Sequence, residues 1–179
     1  MIIAEVPVQD GKYQVEGDYR IDGVPGTGAK ITLRFWEPGG SVTGKLLPTG
    51  NVRDTIRVPE YGAFTVSIID AANPVVFVKA GELGLEGTEI DEIDSNPDIL
   101  RRLQVIRRCA AMMIGLADTP KEVSPAIPKI VLVSETKEYK AVSGRIITPK
   151  EMDLVARTLS MGKLHRAFAL TSAICTAGA

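Results

Sequence analysis

The residues best suited to chemistry lie toward the carboxyl end, where Met161-Gly162-Lys163-Leu164-His165 precedes the run Leu170-Thr171-Ser172-Ala173. A helix beginning at Thr171-Ser172-Ala173 would offer backbone N–H groups with no intrahelical acceptor. Nearby hydroxyls and the cation of Lys163 or His165 would complete a carboxylate-binding site. The same spacing also suits exposed residues that merely cap a helix end. Gly39-Gly40-Ser41-Val42-Thr43-Gly44-Lys45 comes close to a phosphate loop, whose glycines let N–H groups curl round an anion. Leu46 stands where such a loop needs a magnesium-binding hydroxyl, and Pro48 blocks the helix that should follow, so the segment reads as a linker. Gly23-Val24-Pro25-Gly26-Thr27-Gly28 lacks dinucleotide spacing and reads as a turn.

Other reactive side chains lack the neighbours that chemistry requires. Glu82, Glu86, Glu89, Asp91, Glu92, Asp94 and Asp98 cluster without the spacing or central glycine of a calcium loop. With Arg101, Arg102, Arg107 and Arg108 they read as a solvated charged surface. Cys109 and Cys175 sit in apolar, helix-like contexts that suit reduced core thiols and a cytoplasmic setting. His165 is the one histidine. It has no Cys or His at ligand spacing, so no metal site is expected.

The elements that position these residues follow from pattern and punctuation. The 179 residues are 45% apolar and 24% charged, which is globular composition with room for one or two small domains. Twenty-one basic against 22 acidic residues leave a net charge of −1, giving no electrostatic case for binding nucleic acid or an anionic membrane. Apolar runs such as Pro74 to Val78 are far shorter than the about 20 residues that cross a bilayer. No signal peptide is recognised. The segment from Ile2 to Val8 is β-rich and ends at an Asp10-Gly11 turn, and Ile31, Leu33 and Phe35 alternate as in a strand with one face buried. The glycine- and proline-rich stretch from Glu37 to Asn51 suggests a domain boundary near Gly50. Strands are expected over 52–58, 63–70, 75–79 and 129–134, and a helix from an Asn96 N-cap to Gly115 with Ile99, Leu103, Ile106, Ala110 and Met113 on one stripe. Thr148-Pro149-Lys150-Glu151 has the form of a capping box and predicts a helix with Met152, Val155, Ala156 and Leu159 inward, ended by Gly162. Strands followed by mixed helices and strands give the class α+β.

Four stretches together resemble the PrpF-type isomerases, a family that includes 2-methylaconitate cis–trans isomerase, methylitaconate isomerase and oxalomesaconate tautomerase. They are Leu47-Pro48-Thr49-Gly50-Asn51, Asp70 to Val78, Ile106 to Leu116, and Leu159 to Ala167. The resemblance runs over essentially the whole chain. It implies a diaminopimelate-epimerase-like fold, in which two similar domains each wrap curved sheet around a central helix and substrate lies in the cleft between them. Residues 1–49 would then end the first domain, and 50–179 would form most of the second. Family members are longer, so the chain is expected to be an internal fragment whose missing amino-terminal part carries the proton-transfer lysine. The isolated chain is accordingly expected to be inactive.

The resemblance also implies the remaining half-site. Asn73-Pro74 matches the Asn-Pro whose asparagine holds substrate in the wider superfamily, although Asn-Pro alone equally makes a turn. Thr171-Ser172-Ala173 falls where the epimerases carry their second catalytic thiol, but Ala169 and Leu170 replace the Cys-Gly of that motif, which rules out a two-thiol mechanism. The implied substrate-binding residues are Asn73, Met161, Lys163, His165, Thr171, Ser172 and Ala173. The implied reaction is a cis–trans isomerisation or 1,3-allylic proton shift in an unsaturated di- or tricarboxylate, without cofactor. A homodimer and a functional link to an aconitase-like hydratase are the expected partners. The competing expectation is a non-catalytic accessory or binding protein for such a hydratase.

Overall fold

Residues 1–179 are described by a computed structural model, in which the chain divides into two compact units, Met1–Pro38 and Gly39–Ala179. In the first unit, β1 (Ile2–Glu5) pairs antiparallel with β4 (Thr32–Phe35), and β2 (Val8–Gln9) with β3 (Lys12–Tyr13). The β2–β3 turn uses Asp10 and Gly11, both at positive φ, as the sequence suggests. The strand expected around residues 31–36 forms over Thr32–Phe35, but Ile31 and Leu33 are exposed, so its alternation buries no face within this unit.

The second unit is built on six strands: β5 (Asp54–Val58), β6 (Gly62–Ala71), β7 (Asn73–Lys79), β8 (Lys129–Ser134), β11 (Val155–Ser160) and β12 (Lys163–Leu164). Their order is β12-β11-β8-β7-β6-β5, with β7 and β8 parallel and every other neighbour antiparallel. A small separate hairpin pairs β9 (Tyr139–Lys140) with β10 (Ile146–Ile147). The sheet has a helix on each face. A short α1 (Asp91–Asp94) leads into α2 (Pro97–Met113), whose Leu103, Ile106 and Ala110 pack on Val66, Ile68, Val76, Val78, Ile130, Leu132 and Leu159. On the opposite face α3 (Leu170–Ala177) sets Cys175 against Ile69, Ala71, Val75, Phe77 and Val131. Odd-numbered residues of β6, β7 and β8 therefore point to α3 and even-numbered ones to α2, the alternation of a pleated strand. This accounts for the uninterrupted apolar run in β7, which is buried on both faces.

The ends of α2 follow the sequence closely. Asn96 Oδ1 accepts from the N–H groups of Asp98 and Ile99, Pro97 opens the helix, and Gly115 at positive φ lets Leu116 N–H return to the Ala111 carbonyl. Met113, at the end of the expected stripe, is instead exposed. No helix is long and apolar enough to cross a membrane.

Two expectations are corrected. Residues 152–159 form no helix. Glu151 does accept from the backbone N–H and hydroxyl of Thr148, but that closes only a single 3-10 turn over Pro149–Glu151. Val155 and Leu159, read as one helical face, also fit a period of two, and pairing with β8 in the sheet takes them into β11. Gly162 then lies in the β11–β12 hairpin turn beside Met161, both at positive φ. The compact units meet at Pro38, and residues 40–46 are bound to the end of β6: Gly40 N–H donates to the Asp70 carbonyl and Asp70 N–H to that of Leu46. The second correction concerns Arg107. It is buried, with Nη1 donating to the carbonyls of Ser124 and Pro128 and Nε to Gln104 Oε1.

Burial lowers the pKa of Arg107 and the neighbouring Arg108 lowers it further, yet Nη1 is answered by backbone oxygens and Nε by Gln104. Arg107→Ala should cost about 3 kcal/mol, because it strands the buried Pro128 carbonyl as well as losing charged hydrogen bonds. Urea unfolding checks this. A cost no larger than that of an exposed Arg101→Ala control would refute the structural role.

Candidate functional site

Asn73 begins β7 and is 9% exposed, and its Oδ1 has no hydrogen-bond partner in the chain. Its odd position sends the side chain to the α3 face, in line with Val75 and Phe77. A buried amide oxygen without a donor is uncommon and marks a place where an outside group can be received. The approach to it is tight. Ala72 links paired Ala71 and Asn73 at φ +66, a left-handed conformation unfavourable for a residue with a Cβ.

The phosphate-loop-like segment meets an anion here, but one of the chain's own. Asp70, fully buried, accepts from Ser41 Oγ through Oδ1 and from Val42 N, Thr43 N and Thr43 Oγ1 through Oδ2. Sequence reasoning finds the glycines and misses their ligand. Ser41 to Lys45 is remote from Asp70 in the chain, and only the fold unites them.

The carboxyl-terminal candidates divide. Leu164 belongs to the α2 core, so Lys163, beside it on β12 and paired with Ser160, is on the α3 face; it is exposed. Met161 is 65% exposed at the hairpin turn. His165 is exposed and folds its Nδ1 onto the backbone of Ala167, as a local loop contact would. Helix α3 begins at Leu170, with Ala169 as an N-cap that offers no side-chain acceptor. Ala173 N–H is already bonded to the Ala169 carbonyl at 2.9 Å, so it is not a free donor. The unpaired first-turn donors belong to Leu170, Thr171 and Ser172, one residue earlier than the sequence suggests. Ser172 is fully buried with its Oγ unpartnered, and so is the Oγ1 of Thr158, which shares the α3 face with Ala156. The structure thus places Asn73, Lys163 and α3 on one side of the sheet.

Two cavities lie toward the other end of β7. One of about 580 Å³ is lined by Lys79, Glu82, Val133, Ser134, Asp153 and Leu154, and a second of about 340 Å³ shares Lys79, Glu82 and Val133 with it. Lys79, the last residue of β7, lies roughly 20 Å along the strand from Asn73, the first; the second cavity also reaches Phe77, on the same face as Asn73 and roughly 13 Å from it along the strand. Their charges are mixed, and Glu82 is committed to Thr65 N–H. The acid cluster is likewise engaged. Glu89 accepts from the N–H groups of Glu86 and Gly87, Asp94 from Leu164 N–H, and Asp91 and Asp94 both pair with Arg166. Burial tends to raise the pKa of Glu89, but those N–H groups and Lys137 hold it below the usual range. No three His, Cys, Asp or Glu side chains are grouped closely enough to hold a metal ion.

A mixed sheet with one long helix on one face, and on the other a short helix beside buried, unsatisfied polar groups, defines an α+β protein with a candidate site for a small polar ligand. The PrpF family model, described as PrpF protein, matches residues 1–179, and the chain belongs to that family. It is 44% identical over 184 residues to 3-methylitaconate isomerase of Eubacterium barkeri, covering 100% of this chain and 48% of that protein. It is 37% identical over 179 residues to 2-methyl-aconitate isomerase of Shewanella oneidensis, covering 97% and 45%. The crystal structure of methylitaconate-delta-isomerase superposes with a TM-score of 0.88 at 44% identity, over 98% of this chain and 46% of that one. The chain spans about half the length of the curated relatives it matches.

The thiols take no part in this arrangement. Burial pushes Cys175 up to about 11 and also raises Cys109. Cys175 Sγ donates to the Ile69 carbonyl at 3.2 Å. A raised thiol pKa favours the neutral folded form, so the stabilisation is complete below the unfolded pKa of about 8.5 and is lost as pH rises toward the folded value. Iodoacetamide at about pH 8 should leave Cys175 unmodified in the native chain and alkylate it in guanidinium, read by mass spectrometry. Rapid native labelling of Cys175 would contradict the burial described.

Proposed function

We propose that this chain supplies one side of the substrate cleft of an isomerase acting on an unsaturated di- or tricarboxylate, by cis–trans isomerisation or a 1,3-allylic proton shift. The observation that carries the reading is Asn73: a buried amide with an unsatisfied oxygen, on the α3 face of the sheet, in a family whose named members isomerise such acids. In this reading the Asn73 amide orients the substrate, and its two N–H donors and one acceptor can address a carboxyl group in either protonation state. The free N–H groups of Leu170, Thr171 and Ser172 receive a second carboxylate, with Lys163 adding positive charge at the rim. Removal of a proton next to the conjugated system spreads negative charge into a carboxylate. Fixed donors stabilise that charge as it develops, and the proton returns at another carbon.

The base is placed outside these residues, as the family resemblance implies. Residues before Gly50 would end the first of two epimerase-like domains and the remainder would form most of the second, with the compact boundary at Pro38 setting where the first unit ends. Met161 and His165 are placed at the edge of the cleft, since both are exposed near Lys163 in the chain.

The test is isomerisation of methylaconitate-, itaconate- and oxalomesaconate-type acids, followed by proton NMR, on the chain alone and on the chain with the flanking sequence of its gene. In the active form Asn73→Ala should lower turnover by about ten- to a hundredfold, the worth of one charged hydrogen bond of about 1.5 to 3 kcal/mol. Unchanged turnover would remove Asn73 from the site. No turnover of any such acid in either form would overturn the reading.

A further inference from the structure

We propose that Asp70 is a positioning residue for Asn73: its caged carboxylate clamps the Ser41–Thr43 loop to the end of β6 and so holds the strained Ala72 bend that presents the Asn73 amide. The proposal rests on the reading of Asn73 as a substrate contact.

Three observations lead to it. First, Asp70 is fully buried and none of the chain's ion pairs includes it. Its charge is met by four donors from one short loop: Ser41 Oγ at 2.8 Å, Val42 N at 2.8 Å, Thr43 N at 2.6 Å and Thr43 Oγ1 at 2.9 Å. An isolated carboxylate is costly to bury, so removing these donors would either release the loop or force the side chain outward. Second, the backbone is tied at the same point. Gly40 N–H donates to the Asp70 carbonyl, Asp70 N–H to that of Leu46, and Gly39 bridges to Ala71. The loop thus lies along β6 beyond the stretch that β5 pairs, and β5 reaches only as far as Val66. Third, Asp70 pairs with Pro74 and Ala71 with Asn73 across a single residue, Ala72, at φ +66. A bend this short in a residue with a Cβ persists only where its surroundings over-determine it, and the caged carboxylate is two residues away. The loop can curl this tightly because position 40 is a glycine. Gly40 has φ +72, and a Cβ there would come within 2.6 Å of the Gly44 carbonyl carbon and the Lys45 nitrogen.

The test uses the 179-residue chain labelled with nitrogen-15 and reads the Asn73 side-chain NH₂ signals by NMR, with the backbone amides of α2 as an internal control. Thr43→Val removes one hydroxyl donor and keeps the backbone donors; Thr43→Ser restores the hydroxyl. Asp70→Asn removes the charge. The expected result is that Thr43→Val moves and broadens the Asn73 NH₂ signals while α2 amides stay in place, that Thr43→Ser returns them, and that Asp70→Asn, if folded, exceeds Thr43→Val. Should Asp70→Asn fail to fold, Thr43→Val with its rescue decides. Asn73 signals unmoved in Thr43→Val, or moved equally with those of α2, would overturn the proposal. Because this readout requires no turnover, it can fail while the carboxylate reading stands, and Asn73→Ala in the isomerase assay tests that reading separately.

Discussion

β7 and β8 run parallel at the centre of the sheet, and parallel strands are stable where both faces are covered. That requirement shapes the second unit. Even-numbered residues of β7 need α2, odd-numbered residues need α3, and the two helices come from opposite sides of β8 in sequence, one before it and one after β12. Polar residues on these strands are confined to positions where the cover ends or where a partner is built in. Asn73, at the first position of β7, is such a position.

Several carboxylates in this protein accept hydrogen bonds from backbone N–H groups. Asp70 is met by the Ser41–Thr43 loop, Glu89 by the N–H groups of Glu86 and Gly87, Glu82 by Thr65 N–H and Asp94 by Leu164 N–H. Hydrogen bonds to ionised acceptors are roughly twice as strong as neutral ones, so these contacts fix loops to strands in a way that exposed ion pairs do not. Two of them join distant parts of the chain. Asp94 ties α1 to β12, and Asp70 ties the loop before β5 to the far end of β6. The acid cluster of residues 82–98 is, as the sequence suggests, mostly exposed, and within it the half-buried Glu89 and Asp94 act as fasteners.

Local rules reach the elements whose signals agree at every level. The α2 stop signals, β6 and β7 are legible because capping chemistry, periodicity and burial coincide there, and the exposed Asp10-Gly11 turn is legible from its positive-φ residues alone. The segment from Thr148 to Leu159 misleads because a genuine capping box precedes residues whose apolar spacing suits both a helix and a strand, and only the open edge of β8 decides between them. The attachment of the segment after Pro38 is hidden for a related reason. Glycine and proline mark flexibility, not allegiance, and the segment after Pro38 joins the unit that supplies Asp70. At the candidate site, Asn73 and the helix start at Thr171 are visible through family resemblance. The one-residue shift that leaves Leu170 free and Ala173 bonded depends on where the first helical hydrogen bond forms, which composition does not specify. Arg107 looks like a surface residue in the sequence, since its acceptors, the carbonyls of Ser124 and Pro128, leave no trace in side-chain pattern.

If Asn73 and the start of α3 form one side of a single carboxylate-binding cleft, a single ligand must be felt at both. Tricarballylate, a saturated tricarboxylate that cannot be turned over, can be titrated into the nitrogen-15-labelled chain to read this. The Asn73 side-chain signals and the backbone amides of Leu170, Thr171 and Ser172 should shift together along one binding curve. Shifts confined to the cavity around Lys79 and Ser134, or separate curves for Asn73 and α3, would contradict a shared cleft.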